Sequence, residues 1–373
     1  MNILKGINIK WISLESILDY EQPSKYIVSS TEYDDEYSIP VLTAGQTFIL
    51  GYTNEEEGIY EASKECPVII FDDFTTSTKW VDFRFKVKSS AMKMLRLKNP
   101  SEYDLKYIYY AINALNYVPA EHSRQWISTF SKVEIPVPDL ETQKSISSKL
   151  TVFSELINKL NEELRFRKVQ YEFYRERVLQ SFEDTEEKKL RDIVEFRNGK
   201  GHEKVIVEDG KYVVVNSKFI STNGIVKKYS DMQISPLYVD DILMVMSDLP
   251  HGKALAKCYL VDENDKYTLN QRIGAFHVKD KTEISTKYLF YVLDRNLQLL
   301  RYDNGVDQTN LRKDDILDIL IPIPSYSQQQ KIVETLDVFK TLCEDNENGM
   351  PAEIQARQLQ YDYYLKSLFE VEE

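Results

Sequence analysis

Apolar residues recur every three or four positions along a stretch in the middle of the chain. They stand at Ile146, Leu150, Phe153, Ile157, Leu160, Leu164, Tyr171, Tyr174 and Val178, with Arg167 at one position of the series. This is the spacing of a heptad seam kept over about five heptads, and it favours a coiled-coil helix over an ordinary surface helix. A helix of roughly 40 residues would span about 60 Å.

The same pattern returns near the end of the chain. It runs through Ile332, Leu336, Phe339 and Cys343 and continues at Ile354, Tyr361, Leu365 and Leu368. Between the two parts lies Asn348-Gly349-Met350-Pro351, a break signal whose proline suits the first turn of a restarted helix. We predict that the two long helices pack antiparallel, with Leu150, Leu160, Leu164, Leu336 and Phe339 largely buried. The predicted helix–helix and subunit interface comprises Leu150, Phe153, Ile157, Leu160, Leu164, Tyr171, Tyr174, Leu336, Phe339, Tyr361 and Tyr364.

Shared borders identify the two stretches as a repeat. Each follows an Ile-Pro-x-Pro sequence, at 135–138 and 321–324, and each closes on Gln-Tyr-x-aromatic-Tyr, at 170–174 and 360–364. The offset is 186 at the first border and 190 at the second, so the second copy has four extra residues. The shared borders argue against two unrelated amphipathic helices.

Each long helix follows a segment of mixed pattern. Short apolar runs that read as buried strands, at 68–72 and 241–246, each precede a polar loop, and short helical patterns lie near Ile108 and Leu289. The predicted fold class is α+β, with two mixed α/β domains separated by two long antiparallel coiled-coil helices in an internal pseudo-twofold repeat. The predicted segments are a first domain, the central helix, a second domain and the C-terminal helix, at 1–134, 135–186, 187–320 and 321–373.

Composition indicates a globular protein of two or three domains. No apolar run approaches the length of a membrane span, and the N-terminus lacks an apolar signal core. Cys66, Cys258 and Cys343 are scattered, without metal or disulfide spacing. We therefore expect a cytoplasmic protein.

The net charge of −13 speaks against a nucleic-acid partner, but the distribution of charge along the chain matters more than its sum. Acidic residues collect after Glu344, whereas Lys79–Lys98 holds seven basic residues and one acid. As a strand, Phe83–Lys88 would bury its apolar positions and align Arg84, Lys86 and Lys88 on one exposed face. Such a ribbon suits a phosphate backbone, although a merely solvated strand face is the more frequent outcome for a charge run.

Motifs of catalysis do not stand out in the sequence. There is no G-x-x-x-x-G-K-[ST] run, no G-x-G-x-x-G after a strand and no His-Glu-x-x-His spacing. Asp72-Asp73 reads better as a strand-end loop than as a paired-carboxylate site, because no further acids cluster around it. We predict no catalytic or metal-binding residues in this chain, and recognition remains as its function.

Two similar globular domains held apart by long helices suit a long, regular ligand with two separated sites, and duplex DNA is the obvious one. Reading DNA requires basic, amide and hydroxyl side chains presented to phosphates and base edges. The candidates are Thr76, Ser77, Lys79, Arg84, Lys86, Lys88, Arg124, Gln125, Asn216, Lys218, His251, Lys253, Gln271, Arg272, Gln308 and Asn310. Any of the polar side chains could instead form the local hydrogen bonds of a turn or a helix cap.

The repeat borders, the ending Gly349–Ile354 with Gln360–Tyr364, and Arg167–Arg175 resemble the specificity subunit of type I restriction–modification systems. Asp73–Phe83 and Phe85–Ala91 resemble one of that family's target-recognition domain types. The resemblance covers nearly the whole chain.

The resemblance implies that each domain reads one half of a bipartite double-stranded DNA target. It also implies two modification subunits as partners, which bind S-adenosylmethionine and methylate adenine, and restriction subunits that use ATP and magnesium. The present chain would then be non-catalytic and bind no cofactor itself. A stand-alone methyltransferase or nuclease with a fused recognition domain is the alternative, and a structural coiled-coil scaffold is a third possibility.

Overall fold

The computed structural model describes residues 7–45, 47–119, 123–180, 185–250 and 252–368. The chain divides into two compact units. Unit 1 contains the residues up to Glu163 together with those from Ala352 onwards, and unit 2 is Leu164–Pro351. Each unit therefore combines one globular part with one portion of each helical stretch. The compact units cut across the predicted helical segments 135–186 and 321–373.

The helices follow the repeat. They are α1 Leu14–Ile17, α2 Leu105–Ala114, α3 Leu140–Gln180, α4 Leu190–Ile193, α5 Ser217–Ser221, α6 Thr286–Leu293, α7 Leu297–Leu300, α8 Lys313–Leu317, α9 Tyr326–Glu344 and α10 Met350–Lys366. The predicted long helix is confirmed in α3, which has 41 residues. The break is confirmed as well, because α9 ends at Glu344 and Pro351 lies in the first turn of α10.

The described residues of unit 1 form two sheets and an antiparallel strand pair. Its strands are β1 Lys10–Ser13, β2 Leu18–Glu21, β3 Ile39–Leu42, β4 Ile49–Thr53, β5 Val68–Asp72, β6 Thr78–Val81, β7 Lys86–Val87, β8 Met92–Leu97 and β9 Glu134–Val137. The main sheet has the order β2-β8-β5-β6 and is antiparallel, and the second sheet has the order β4-β3-β7. β1 pairs with β9, which leads into α3.

Unit 2 repeats this plan. Its strands are β10 Glu187–Lys189, β11 Val194–Asn198, β12 Ile206–Val207, β13 Tyr212–Val215, β14 Tyr229–Ser230, β15 Ile242–Val245, β16 Ser247–Asp248, β17 Cys258–Leu260, β18 Tyr267–Leu269, β19 Ile273–Val278, β20 Thr309–Asn310 and β21 Leu320–Pro322. The main sheet has the order β11-β19-β15-β17, the second β12-β14-β13-β18. β10 pairs with β21, which leads into α9.

Burial on both faces explains why β5 and β15 read as continuous apolar runs. In β5, Ile69 and Phe71 pack into a core shared with α2, whereas Val68 and Ile70 face a second core. The residues of β15 alternate between two cores in the same way. The strands predicted at 68–72 and 241–246 and the short helices near Ile108 and Leu289 are therefore confirmed.

The first residues of each heptad seam pack into the core of the adjacent globular part. In unit 1, Leu150 is buried in the core that contains α2, and the ring of Phe153 lies 5.3 Å from that of Tyr364 on α10. In unit 2, Leu336 is buried in the core of the globular part. The first part of α3 packs against α10 through Phe153 and Tyr364, and its last part packs against α9 through Tyr174 and Phe339. Since α9 precedes α10 in the chain, α3 contacts the two helices in reverse order.

Burial along the seam is uneven. Ile157 and Tyr171 are buried, and Tyr361 and Tyr364 are half-buried. Of the five residues predicted to be largely buried, Leu150 and Leu336 are fully buried, and Leu160, Leu164 and Phe339 are half-buried. Tyr174 is 39% exposed although its ring stacks on Phe339 at 5.8 Å. Leu160 and Leu164 lie on the stretch of α3 that belongs to neither globular core, so fewer neighbours cover them.

None of the helices in the described ranges is both long enough and apolar enough to cross a membrane.

Candidate nucleic-acid interface

Three loops of unit 1 meet at one end of its main sheet. Asp73, directly after β5, donates its backbone N–H to the carbonyl oxygen of Ala91, directly before β8, at 3.0 Å. The backbone N–H of Gln125 in turn donates to the carbonyl oxygen of Asp73 at 2.8 Å. We call residues 73–77, 88–91 and 123–125 the unit 1 loop cluster.

Unit 2 contains the same junction. Met246, directly after β15, donates its backbone N–H to the carbonyl oxygen of Arg272, directly before β19, at 3.1 Å. The backbone N–H of Leu311 donates to the carbonyl oxygen of Met246 at 2.8 Å. We call residues 246–250, 270–272 and 308–311 the unit 2 loop cluster.

The matching bonds align the two clusters residue by residue. Asp73 corresponds to Met246, 173 positions later. Gln125 corresponds to Leu311, 186 positions later, which is also the offset between the two Ile-Pro-x-Pro segments. Candidates that lie far apart in sequence are therefore brought together within each unit. Arg84, Lys86, Asn216 and Lys218 lie outside both clusters.

Unit 1 presents several exposed polar and basic side chains. Ser77 and Arg124 in the loop cluster and Lys79 at the start of β6 are exposed. The ammonium of Lys79 lies 6.0 Å from the ring centre of Phe48. The cluster thus offers a guanidinium and a hydroxyl, with a lysine beside them, which are groups that contact phosphates and base edges.

Two candidates within the unit 1 loop cluster are buried, which corrects their predicted exposure. Thr76 has a positive φ of 61°, and its hydroxyl donates to the carbonyl oxygen of Thr75 at 2.6 Å. The side-chain amide of Gln125 donates to the carbonyl oxygen of Ser123 at 2.9 Å. Both side chains are buried and hold loop conformation, the turn chemistry that the sequence left open as an alternative.

The predicted basic strand face is wrong at Lys86. Its side chain is buried, and the ammonium lies 2.6 Å from both a carboxylate oxygen of Glu55 and the carbonyl oxygen of Glu57. Burial opposes ionisation of Glu55, but hydrogen bonds from Lys86, Ser30 and Ser29 outweigh it and lower the pKa of the carboxyl. β7 is two residues long and covered on both faces, so the expected alternation of buried and exposed positions fails there.

The neighbouring basic residues have their own partners. Arg84 is exposed and forms an ion pair with Glu61 at 2.9 Å. Lys88 is half-buried, with its ammonium 5.9 Å from the ring centre of Tyr33. An exposed pair of this kind is weak, so Arg84 could exchange Glu61 for a phosphate at little cost.

Unit 2 presents a different set of groups. The exposed candidates are Lys218, Lys253, Gln271, Arg272, Gln308 and Asn310. The side-chain amide of Gln308 donates to the hydroxyl of Ser247 at 2.7 Å, and that of Gln271 donates to a carboxylate oxygen of Glu203 at 2.9 Å. The unit 2 loop cluster therefore combines three exposed amides with Arg272, whereas the unit 1 loop cluster presents Arg124 and no exposed amide.

Two further candidates take other positions. Asn216 is half-buried and caps α5, because its side-chain oxygen accepts the backbone N–H of Phe219 at 2.9 Å. His251 lies outside the described residues.

Sequence reasoning missed a buried ion pair beneath the unit 1 loop cluster. Lys93 and Asp73 are both buried, and the ammonium lies 3.0 Å from Oδ2 of Asp73. Lys93 alternates with Met92 and Met94 on a strand, a pattern that predicts an outward-facing charge rather than a buried one. A comparison of the two repeats could have pointed to the pair, because unit 2 has uncharged residues at both corresponding positions, Met246 and Gly274.

Cys258 and Asp72 make structural contacts. Among the described residues, no group of three or more His, Cys, Asp or Glu side chains could hold a metal ion. Burial raises the pKa of the Cys258 thiol well above its usual value, so the thiol stays protonated at neutral pH. The Asp72 carboxylate accepts the backbone N–H groups of Phe74 and Thr75 at 2.8 and 3.1 Å, as a strand-end turn requires.

The duplicated loop clusters and the long helices define a class of protein. The family model for the type I restriction modification DNA specificity domain matches residues 7–165 and again residues 182–356. The chain belongs to this family.

The similar proteins agree with this assignment. The chain is 38% identical to the type I restriction enzyme EcoR124I/EcoR124II specificity subunit of Escherichia coli, over 98% of this chain and 95% of the relative. It is 24% identical to a putative type I restriction enzyme specificity subunit of Haemophilus influenzae, over 98% and 96% of the two chains. A solved S subunit from M. genitalium shares the fold, with a TM-score of 0.63 at 17% identity over 99% and 98% of the chains.

Proposed function

We propose that this chain is the DNA-recognition subunit of a type I restriction–modification complex. In this account each unit reads one half of a bipartite target, and the chain directs adenine methylation, and restriction, by partner subunits. The observation that carries the proposal is that both units have the same three-loop junction, each at the corresponding end of its own main sheet. Two equivalent junctions with different side chains suit two half-sites of different sequence.

The chemistry of the clusters supports sequence reading. Arginine pairs in bidentate fashion with guanine in the major groove, and asparagine and glutamine pair with adenine. Arg124 is exposed in the unit 1 loop cluster, and Gln308 and Asn310 are exposed in the unit 2 loop cluster. Lys79 beside the first cluster and Lys253 near the second could contact phosphates, which fix register without carrying sequence information.

Exposed apolar side chains on α3 support protein partners. Val152, Phe166, Val169 and Phe173 are each more than half exposed. Large apolar residues so accessible along one helix are typical of a surface that another protein covers. We propose that two modification subunits occupy this helix, and that the acidic residues after Glu344 also face partner subunits rather than DNA.

The chemistry of the reaction would lie on the partners. The modification subunits would bind S-adenosylmethionine, restriction subunits would use ATP and magnesium, and the present chain would be non-catalytic. Work on chromosomal DNA would place the complex in the cytoplasm.

The proposal is tested by separating the chain from its partners. The purified chain alone should neither methylate nor cleave DNA when supplied with S-adenosylmethionine, ATP and magnesium. Adding the modification subunits should produce adenine methylation at one bipartite sequence, read by sequencing the treated DNA. Turnover by the chain after every other subunit has been removed would favour the stand-alone enzyme. Methylation at the same sites without this chain would contradict the proposal as well.

A further inference from the structure

A charged pair is buried beneath the unit 1 loop cluster. The side chains of Asp73 and Lys93 are each 1% exposed, and their charged groups lie 3.0 Å apart. Oδ1 of Asp73 also accepts the backbone N–H of Trp126 at 2.9 Å, while Lys93 donates to the side-chain oxygen of Gln22 at 3.1 Å. A pair with these additional hydrogen bonds can be held in the interior, whereas removal of one charge would leave the other uncompensated.

The buried pair touches the exposed arginine of the cluster. A terminal nitrogen of Arg124 lies 3.7 Å from Oδ2 of Asp73, and the other donates to the hydroxyl of Ser90 at 3.4 Å. The guanidinium carbon lies 6.0 Å from the ring centre of Phe74. About half of the Arg124 side chain remains exposed. Three contacts thus restrain the guanidinium while it stays accessible to a ligand.

Unit 2 lacks this whole arrangement. In the main sheets, Phe71 faces Lys93 as Met244 faces Gly274, so Lys93 corresponds to Gly274. Asp73 corresponds to Met246, and Arg124, one residue before Gln125, corresponds to Asn310. A Cβ on Gly274 would lie 2.8 Å from the sulfur of Met246, so the sulfur fills the space there. Unit 2 thus forms the same backbone hydrogen bonds between its loops without a buried ion pair. The fold therefore does not require the Asp73–Lys93 pair.

We propose that Asp73 and Lys93 position Arg124 to read the edge of a guanine in the half-site that unit 1 recognises. This inference rests on the proposed function. Lys93 neutralises the buried Asp73, and Asp73 in turn orients the guanidinium of Arg124. Asp73 and Lys93 are positioning residues, and Arg124 is the residue that contacts DNA.

Restraint of the side chain favours a base over a phosphate as the ligand of Arg124. A guanidinium that neighbouring groups already orient loses less conformational entropy when it binds, and its planar fork matches the O6 and N7 acceptors of guanine. A phosphate can be contacted from many directions, so it requires no such support.

The test measures base preference at each position of the target. The full-length chain, assembled with its modification subunits, selects from a DNA library in which both half-sites are randomised. Arg124→Lys keeps the charge but removes the planar fork. Asp73→Asn combined with Lys93→Met removes both buried charges together, and the asparagine oxygen can still accept the Trp126 N–H. Asp19→Asn combined with Lys98→Met removes an exposed ion pair of the same unit and serves as the matched control.

We expect Arg124→Lys and the Asp73/Lys93 double variant to lose the preference for guanine at one and the same position, by about 5- to 150-fold. All other positions and the control should keep the wild-type preference. Thermal unfolding establishes that the variants fold. If the double variant does not fold, Asp73→Met with Lys93→Gly, the pair found in unit 2, replaces it.

Several results would overturn the inference. The inference is wrong if the guanine preference is kept in Arg124→Lys or in the variant without the buried charges. It is also wrong if these variants bind all DNA sequences more weakly to the same extent. A wild-type complex that selects no bipartite sequence would instead contradict the proposed function, so the two failures are distinguishable.

Discussion

Gln143 and Gln329 make the same three hydrogen bonds at the start of their long helices. In both, the side-chain oxygen accepts the backbone N–H of the N-cap residue of a short helix, α2 or α6, at 2.9 and 2.8 Å. The side-chain nitrogen donates to the carbonyl oxygen of the second proline of Pro-x-Pro, at 2.8 and 2.9 Å. It also donates to the carbonyl oxygen two residues before that N-cap, at 3.2 and 2.9 Å. Each glutamine therefore joins its long helix to its globular part.

Replacing either glutamine should destabilise the unit that contains it. Gln143→Leu and Gln329→Leu would each remove the partner of a backbone N–H and of two carbonyl groups, of which the proline carbonyl is bonded at a buried position. We expect a loss of about 1–3 kcal/mol for each unsatisfied buried group. Chemical denaturation measures the free energy of unfolding. Ser145→Ala, at an exposed position of the same helix, should change it by less than about 0.5 kcal/mol. Equal effects at all three positions would refute the joining role.

The repeat made this part of the fold predictable. The equivalence of Gln143 and Gln329 follows from their shared offset and needs no structure. The two bonds to the N-terminal ends of α2 and α6 do not follow, because those partners lie about 40 residues earlier in the chain.

The candidate site was predictable in part only. Turn-forming and basic residue types located the loops, but sequence patterns did not show which loops meet or which side chains are buried. The sequence pattern predicts Lys86 on an exposed strand face and does not single out Lys93, yet both are buried against a carboxylate. A buried ion pair depends on partners distant in sequence, Glu55 and Asp73, which local periodicity does not encode.

Burial along α3 predicts a graded response to truncation. Leu150→Ala removes a buried side chain from the unit 1 core and should cost about 2–5 kcal/mol. Leu160→Ala, made on the same helix at a half-buried position, should cost less, since water already reaches part of the side chain. Thermal unfolding of the two variants and the wild-type chain would compare them. A larger loss at Leu160 than at Leu150 would contradict the observed packing.

The two lysines Lys86 and Lys79 should behave differently. Lys86→Met leaves Glu55 without its partner and should lower the stability of the chain, with little direct effect on DNA contacts. Lys79→Met removes an exposed charge beside the unit 1 loop cluster. It should weaken binding to all sequences alike and reduce the salt dependence of binding by about one counterion. DNA affinity as a function of salt, combined with thermal unfolding, separates the two effects. Loss of DNA affinity without loss of stability in Lys86→Met would show that the lysine is not structural.

Helix length should set the spacing between the half-sites. The first part of α3 belongs to unit 1 and the remainder to unit 2. Four residues inserted near Asn161 would add about one turn, or 5.4 Å, whereas B-DNA rises about 3.4 Å per base pair. The insertion should widen the non-specific gap by about one or two base pairs. Altered base identity in either half-site, detected by methylome sequencing, would argue against a spacer role.

Exchange of one domain tests the division of labour most directly. Residues 1 to about 134 are replaced by the corresponding segment of a related specificity subunit, and methylated adenines are sequenced in cells that carry the hybrid and the partner subunits. We predict that one half of the methylated sequence changes to that of the donor, while the other half and the gap between them stay the same. A change in both halves, or in neither, would contradict the account in which each unit reads its own half-site.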